Sequence, residues 1–215
     1  IMKEQEIDGF MLDEQKATML AAKLNSKMAE IEKKVHETFK PKWVDDKLVT
    51  PKLRKDGTIS KVGLTNEEMR KCLRSNNLEP FMRQKWVTFN LASRKQIGEY
   101  LIDFGWKPTK FTPTGQPIVD ETTLEKVKDI PEATLIAEFM MLQKRVAQVS
   151  SWLELSKDGR VHGFVIPNGA ITGRMTHRSP NVAQTPSSNK PYGKECRECW
   201  TVPEGYKLVG IDASG

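Results

Sequence analysis

The sequence predicts an α+β fold, and three features carry that expectation. Apolar residues recur at helical spacing through most of the chain up to Leu155. The period then changes to two, and Lys157-Asp158-Gly159-Arg160 supplies a hairpin turn between alternating segments. Helices therefore come first and antiparallel strands later.

The first long helix is expected over Asp13 to Phe39. Asp13 is an N-cap residue type, and Met19, Leu20, Leu24, Met28, Ile31, Val35 and Phe39 recur on one face. Ile7 to Leu12 reads as a turn and strand leading into it. From Lys40 to Lys95 the pattern breaks, punctuated by Pro41, Pro51, Gly57, Gly63 and Pro80, with one short helix near Thr65 to Arg74. Asn90 to Phe104 is helical again, with Ile97, Leu101 and Phe104 on one face and Gly105 as C-cap. A loop or short hairpin follows from Trp106 to Ile118, then a short helix near Thr122 to Val127. Glu132 to Leu155 is the strongest helix, with Leu135, Ile136, Phe139, Met140, Val146, Val149 and Leu153 as its stripe. Leu153 to Leu155 and Arg160 to Ile166 flank the hairpin turn, and Lys207 to Ile211 reads as an apolar central strand.

The net charge of +6 permits a polyanionic partner without demanding one. Its distribution says more. Residues 40–95 hold 14 Lys and Arg against 6 Asp and Glu, a net +8, so the rest of the chain is slightly acidic. Trp43, Phe81, Trp86 and Phe89 are interleaved with that charge, as on an interaction surface; a solvated basic loop accounts for it equally well. Cys196-x-x-Cys199 has the spacing of a zinc or redox pair, but no second ligand pair follows, and two incidental reduced thiols are the expectation. No apolar run reaches the length of a membrane span.

The richest stretch runs from His162 to Gly215. It holds Thr172-Gly173-Arg174, then Pro180-Asn181 through Pro186, then Pro191-Tyr192-Gly193 and Cys196-Arg197-Glu198-Cys199-Trp200, and ends on Val209-Gly210-Ile211-Asp212-Ala213-Ser214-Gly215. In order and spacing this resembles the family A DNA polymerases, and within them those of short-tailed, T-odd bacteriophages. Upstream, Gly9-Phe10-Met11-Leu12-Asp13 resembles the link after their exonuclease, and Met140-Met141-Leu142-Gln143-Lys144-Arg145 their thumb helix.

The resemblance implies a helical thumb followed by the first antiparallel strands of a polymerase palm. Residues 1–39 would be the link and first thumb helix, 40–95 a basic thumb insertion, 96–155 the thumb helices and 156–215 the start of the palm. The implied activity is DNA-templated DNA synthesis in phage replication, in the cytoplasm of the infected bacterial host. The chain is expected to be the N-terminal part of a truncated or split enzyme, inactive alone and completed by a C-terminal half. Host thioredoxin is the implied processivity partner of residues 40–95, a segment shorter here than in the phage relatives.

Site roles follow from the same resemblance. Asp212 would bridge two Mg²⁺ ions and the Ala213 carbonyl would add an oxygen, matching the preference of that ion for oxygen donors. Arg174, Asn181 and Gln184 would reach minor-groove acceptors that every correct pair presents, sensing pairing without reading sequence. For these three, loop capping is the alternative, above all for Asn181. Lys144, Arg145, Thr172, His177 and Arg197 are expected on primer–template phosphates, with a solvated face as the competing reading for the cations. The incoming dNTP would be held largely by parts of the enzyme beyond these residues. A non-catalytic DNA- or processivity-factor-binding module is the rival function. A stand-alone metal nuclease fits less well, because it needs clustered carboxylates and only Asp212 is suitably placed.

Overall fold

In the computed structural model, residues 2–75 and 77–209 are described. In chain order they form α1 (Met2–Asp8), β1 (Phe10–Leu12), α2 (Glu14–Thr38), β2 (Lys42–Val49), α3 (Asn66–Ser75), β3 (Phe81–Val87), α4 (Arg94–Asp103) and α5 (Glu121–Leu124). Then come α6 (Pro131–Glu154), β4 (Ser156–Lys157), β5 (Arg160–Val161), β6 (Phe164–Ile166), β7 (Thr176–Arg178), α7 (Gly193–Glu198) and β8 (Trp200–Thr201). The architecture is α+β with antiparallel strands, as the sequence predicts. The chain divides into two compact units, residues 1–35 with 91–215, and residues 36–90.

In the larger unit, Asp13 caps α2 by accepting from the Lys16 backbone N–H at 3.0 Å. Ala17, Leu20, Leu24, Ile31 and Val35 form the buried stripe, while Met19 is exposed, one position round the helix from Leu20. α4 is capped by Ser93, whose hydroxyl accepts from Gln96 N–H, and buries Ile97 and Leu101. Phe104, expected on that face, is largely exposed beyond the last turn. Residues 106–118 form the short hairpin the sequence allows, closed by a Phe111–Pro117 bridge. Pro131 opens α6 at a position where no backbone donor is needed. Its buried stripe is Ala133, Ile136, Ala137, Phe139, Leu142, Val149 and Trp152, whereas Leu135, Met140, Val146 and Leu153 are only half-buried.

A four-stranded sheet in the order β4-β5-β1-β8 completes this unit. β1 lies inside it, pairing Phe10 with Val161 on one side and Leu12 with Trp200 on the other. Asp158 and Gly159 both have positive φ, 53° and 72°, the primed turn that an Asp-Gly pair accommodates best between antiparallel strands. Leu153 and Glu154 belong to α6 rather than to a strand, so the ladder begins at Ser156. The buried Trp152 explains the shift, since a helical turn points it inward against Trp200, ring centroids 4.9 Å apart. Lys207 to Val209 are not in a strand; Leu208 and Val209 are exposed, without a ladder partner among the described residues. Gly210 and Ile211 lie outside those residues.

The smaller unit corrects the expectation of a mostly irregular segment over 40–95. β2 and β3 form an antiparallel ladder from Lys42–Val87 to Val49–Phe81, with a bulge between Asp45 and Lys47. Charged residues and the bulge interrupt both strands, which hides the alternation that a half-buried strand displays. Phe39 and Phe89 are buried edge to face at 4.9 Å, and His36 Nε2 lies 2.8 Å from the Phe89 carbonyl. α3 opens with a capping box: Thr65 N–H donates to Glu68 Oε2 at 2.7 Å, and Glu68 N–H donates to Thr65 Oγ1 at 3.3 Å. Arg83 on β3 clasps the same carboxylate, its Nε donating to Oε1 at 2.6 Å and its second arm to Oε2.

That clasp holds the Glu68 carboxyl at about 2, against an ordinary 4.5. The folded state prefers the charged form, so the stabilisation is complete above the ordinary value and lost as pH falls towards 2. Glu68→Gln should cost about 1–2 kcal/mol near neutrality after screening, and less than half of that at about pH 3. Unfolding of parent and variant across this range checks it; a pH-independent difference would exclude the carboxylate as its source.

Candidate nucleic-acid interface

Thr172 and Arg174 sit on the loop between β6 and β7. The loop closes tightly: Gly173 N–H donates to the Ala170 carbonyl at 2.9 Å, and Ala170 N–H to the Arg174 carbonyl at 3.1 Å. Gly173 has φ +74°, a conformation glycine adopts without strain. At the base of the loop, a Cβ on Gly169 would collide with the Thr176 side chain, so only glycine lets the chain fold back onto β7. The result is a braced turn that presents Thr172 and Arg174 to solvent. Behind it, the Arg178 guanidinium lies 4.6 Å over the Phe164 ring.

Other predicted contact residues fall into two clefts. One, of about 890 Å³, gathers Lys144 and Arg145 from α6 with Gln184, and adds Lys190 and Tyr192. Gln148 Nε2 donates to the Gln184 carbonyl at 2.8 Å, which ties this segment to α6. Glu121, Glu125 and Glu138 line the same cleft, so its potential is mixed rather than uniformly basic. The second, of about 430 Å³, brings His177 and Arg197 together with Thr185 and Trp200. Arg197 Nε donates to the Pro186 carbonyl at 2.9 Å, leaving its other donors available to the cleft. The Thr172–Arg174 loop lines neither cleft as described.

Asn181 precedes a 3-10 turn at Val182–Gln184, but its side chain makes no capping hydrogen bond. Its Oδ1 is buried, as is His177 Nδ1, and neither has a hydrogen-bond partner among the described residues. The capping alternative for Asn181 is therefore not what its side chain does here.

Tyr192 is the residue that sequence reasoning passed over. It takes a left-handed φ of +58°, and Lys27 Nζ lies 5.5 Å and Lys23 Nζ 6.0 Å from its ring centre. A hydrogen bond with Tyr192 pushes the Lys27 ammonium above its usual range. A Cβ on the following Gly193 would collide with the Ser187 carbonyl, so the close chain reversal requires glycine there. The Pro191-Tyr192-Gly193 triplet was the available signal, though it does not reveal two lysines from a helix more than 160 positions earlier.

Cys196 and Cys199 are buried, and burial raises both thiols, Cys199 to about 11. Burial therefore disfavours the thiolate, the reactive form of the side chain. Asp212 and Ala213 lie outside the described residues. Among the described residues no group of three or more His, Cys, Asp or Glu could hold a metal ion.

Comparison with known proteins agrees with the arrangement. Residues 61–215 match the family described as DNA polymerase family A. The DNA-directed DNA polymerases of Escherichia phage T7 and Enterobacteria phage T3 are 33% and 34% identical over the whole chain. The chain spans about a third of their length, 36% in each case. DNA polymerase I of Pseudomonas aeruginosa is 30% identical over 59% of the chain and 14% of its own length. In fold, the chain matches the polymerase domain of Pol1 from M. smegmatis, solved with primer–template DNA and dNTP. That likeness has a TM-score of 0.68 at 18% identity and covers 96% of this chain and 29% of that one. With the family match covering most of its length and the phage similarity all of it, the chain belongs to the family A DNA polymerases.

Proposed function

We propose that this chain forms part of a DNA-directed DNA polymerase, where it grips primer–template DNA and brings the primer end to the reacting centre during phage replication. The observation that carries this is similarity to two phage DNA polymerases over the full 215 residues. The exposed Thr172–Arg174 turn supports it, because a rigid mount and an exposed guanidinium suit a contact that must work at every sequence. His177 and Arg197 in one cleft, and Lys144, Arg145 and Gln184 in the other, extend the contact to the DNA backbone, with Asn181 beside them.

The division into a link and first helix (1–39), an insertion (40–95), thumb helices (96–155) and the start of the palm (156–215) belongs to the same reading. Residues 40–95 would lengthen each binding event, with host thioredoxin as candidate partner; their charge of +8 supports that role. Asp212 and the Ala213 carbonyl would contribute to a two-Mg²⁺ centre that needs more carboxylates than Asp212 supplies. The incoming dNTP and a C-terminal polymerase half complete the assembly, in the cytoplasm of the infected host. No helix among the described residues is long and apolar enough to cross a membrane.

The purified 215-residue chain should bind primer–template DNA with an affinity that falls steeply with salt, and should incorporate no nucleotide when given Mg²⁺ and dNTPs. Gel-shift titration and a primer-extension assay test both halves. Absence of binding at low salt would overturn the DNA-gripping role, and extension by this chain alone would overturn the assignment of chemistry to a larger assembly.

A further inference from the structure

β6 and β7 form a ladder of three residue pairs, Phe164–Arg178, Val165–His177 and Ile166–Thr176, separate from the four-stranded sheet. A two-stranded ribbon this short is marginal in water by itself. Yet it carries residues 167–175, which include the Thr172–Arg174 turn, so whatever fixes the ribbon also fixes that turn.

The fixture comes from α1, at the other end of the chain. Val165 is only 5% exposed, and its backbone N–H donates to Glu6 Oε1 at 3.0 Å. The carboxylate thus occupies the edge of β6 away from β7, where a third strand would otherwise supply an acceptor. Neighbouring contacts fix where Glu6 can reach. His162 Nδ1 lies 3.0 Å from the Glu6 backbone carbonyl, and Arg160 Nη1 donates to the Asp8 carbonyl at 3.0 Å. A Cβ on Gly9 would meet the His162 ring at 2.8 Å, so α1 ends pressed against the residues that lead into β6. Gln5, beside Glu6, lines the cleft that holds His177 and Arg197.

We propose that Glu6 is a positioning residue for the primer end: by holding the open edge of β6, it sets the stance of the Thr172–Arg174 turn. The proposal deepens the polymerase reading and rests on it. Glu6 acts through β6 and not on DNA, since a carboxylate repels phosphate and this one is engaged by the Val165 N–H. Removing it leaves a buried N–H without that acceptor, and the cost falls on the ribbon.

The test uses the full 215-residue chain with Glu6→Ala, Glu6→Gln and Glu6→Asp, each alone and combined with Arg174→Ala. Amide exchange at Val165 should quicken about ten- to a hundredfold in Glu6→Ala, since a hydrogen bond to a charged group is lost. Glu6→Gln keeps an Oε1 acceptor and should restore most of the protection. Glu6→Asp, one methylene shorter, should not. Primer–template affinity should fall between about two- and tenfold in Glu6→Ala and recover in Glu6→Gln. In the Arg174→Ala background the same change should have almost no effect, because the turn has then lost the group that Glu6 positions. A role in stability alone would give the same loss in both backgrounds. Circular dichroism checks folding, and Glu6→Asp carries the comparison if Glu6→Ala does not fold. Unchanged Val165 exchange or unchanged primer–template affinity overturns the proposal, and so does an equal affinity loss with and without Arg174. Each of these failures leaves the polymerase reading standing, whereas a parent chain that binds no primer–template overturns both.

Discussion

Asp212→Asn, in a complete polymerase carrying this chain, should lower primer extension about a thousandfold or more while primer–template affinity stays within about twofold. The amide keeps the size and one carbonyl oxygen of the acid and loses its negative charge. A hard divalent cation selects the charged oxygen, so the loss falls on the reacting centre and not on the DNA grip. A thousandfold is about 4 kcal/mol of barrier, within what a metal-ligand carboxylate supplies. The basis is the motif Val209-Gly210-Ile211-Asp212 at the end of a match that runs through residues 61–215. Arg174→Ala provides the contrast. Its exposed guanidinium should matter to the primer end, so extension slows and mispair extension changes while the dependence on Mg²⁺ concentration is kept. Single-turnover extension separates the two. If Asp212→Asn extends primers within about tenfold of the parent, too little barrier is lost for a metal ligand.

Trp152→Ala should destabilise the larger unit by about 3–5 kcal/mol, a large share of the 5–15 kcal/mol that holds a typical domain together. Trp152 is fully buried at the end of α6 and packs edge-on against Trp200 in β8, which in turn meets Phe10 of β1 at 6.3 Å. Three elements far apart in sequence lean on this cluster, so truncation leaves a cavity that none of them can fill alone. Trp152→Phe keeps an aromatic ring there and should cost less than half as much. Urea unfolding of the two variants measures the difference, and a loss below about 1 kcal/mol for Trp152→Ala would show that the site collapses freely.

The proposed contact residues were legible in the sequence as types and as a series, not as a place. Thr172-Gly173-Arg174 reads as a motif, and the reason for its rigidity, Gly169 pressed against Thr176, appears only when β6 and β7 pair. Lys144, Arg145 and Gln184 are 40 positions apart at the extremes and meet in one cleft because Gln148 ties the chain down. The three glutamates in that cleft come from α5, its C-terminal end and α6, so no local pattern announces its mixed charge. Tyr192 was missed for the same reason, since its lysine partners belong to α2.

What the sequence by itself determined was everything governed by neighbours a few residues apart. The Asp13 cap and the stripe of α2, the Ser93 cap, Pro131 at the start of α6 and the Asp158-Gly159 turn all depend on local backbone geometry and short-range hydrogen bonds. The family motif is likewise a matter of order and spacing. Tertiary structure decided what depends on distant partners. The bulge in β2 breaks its period-two pattern, and β2 and β3 become strands because residues about 30 to 45 positions apart supply each other's hydrogen bonds. β1 is only three residues long and gains its place from strands roughly 150 and 190 positions later. Lys207 to Val209 have the composition of a central strand and no partner among the described residues, and a strand without a partner leaves its backbone groups to water.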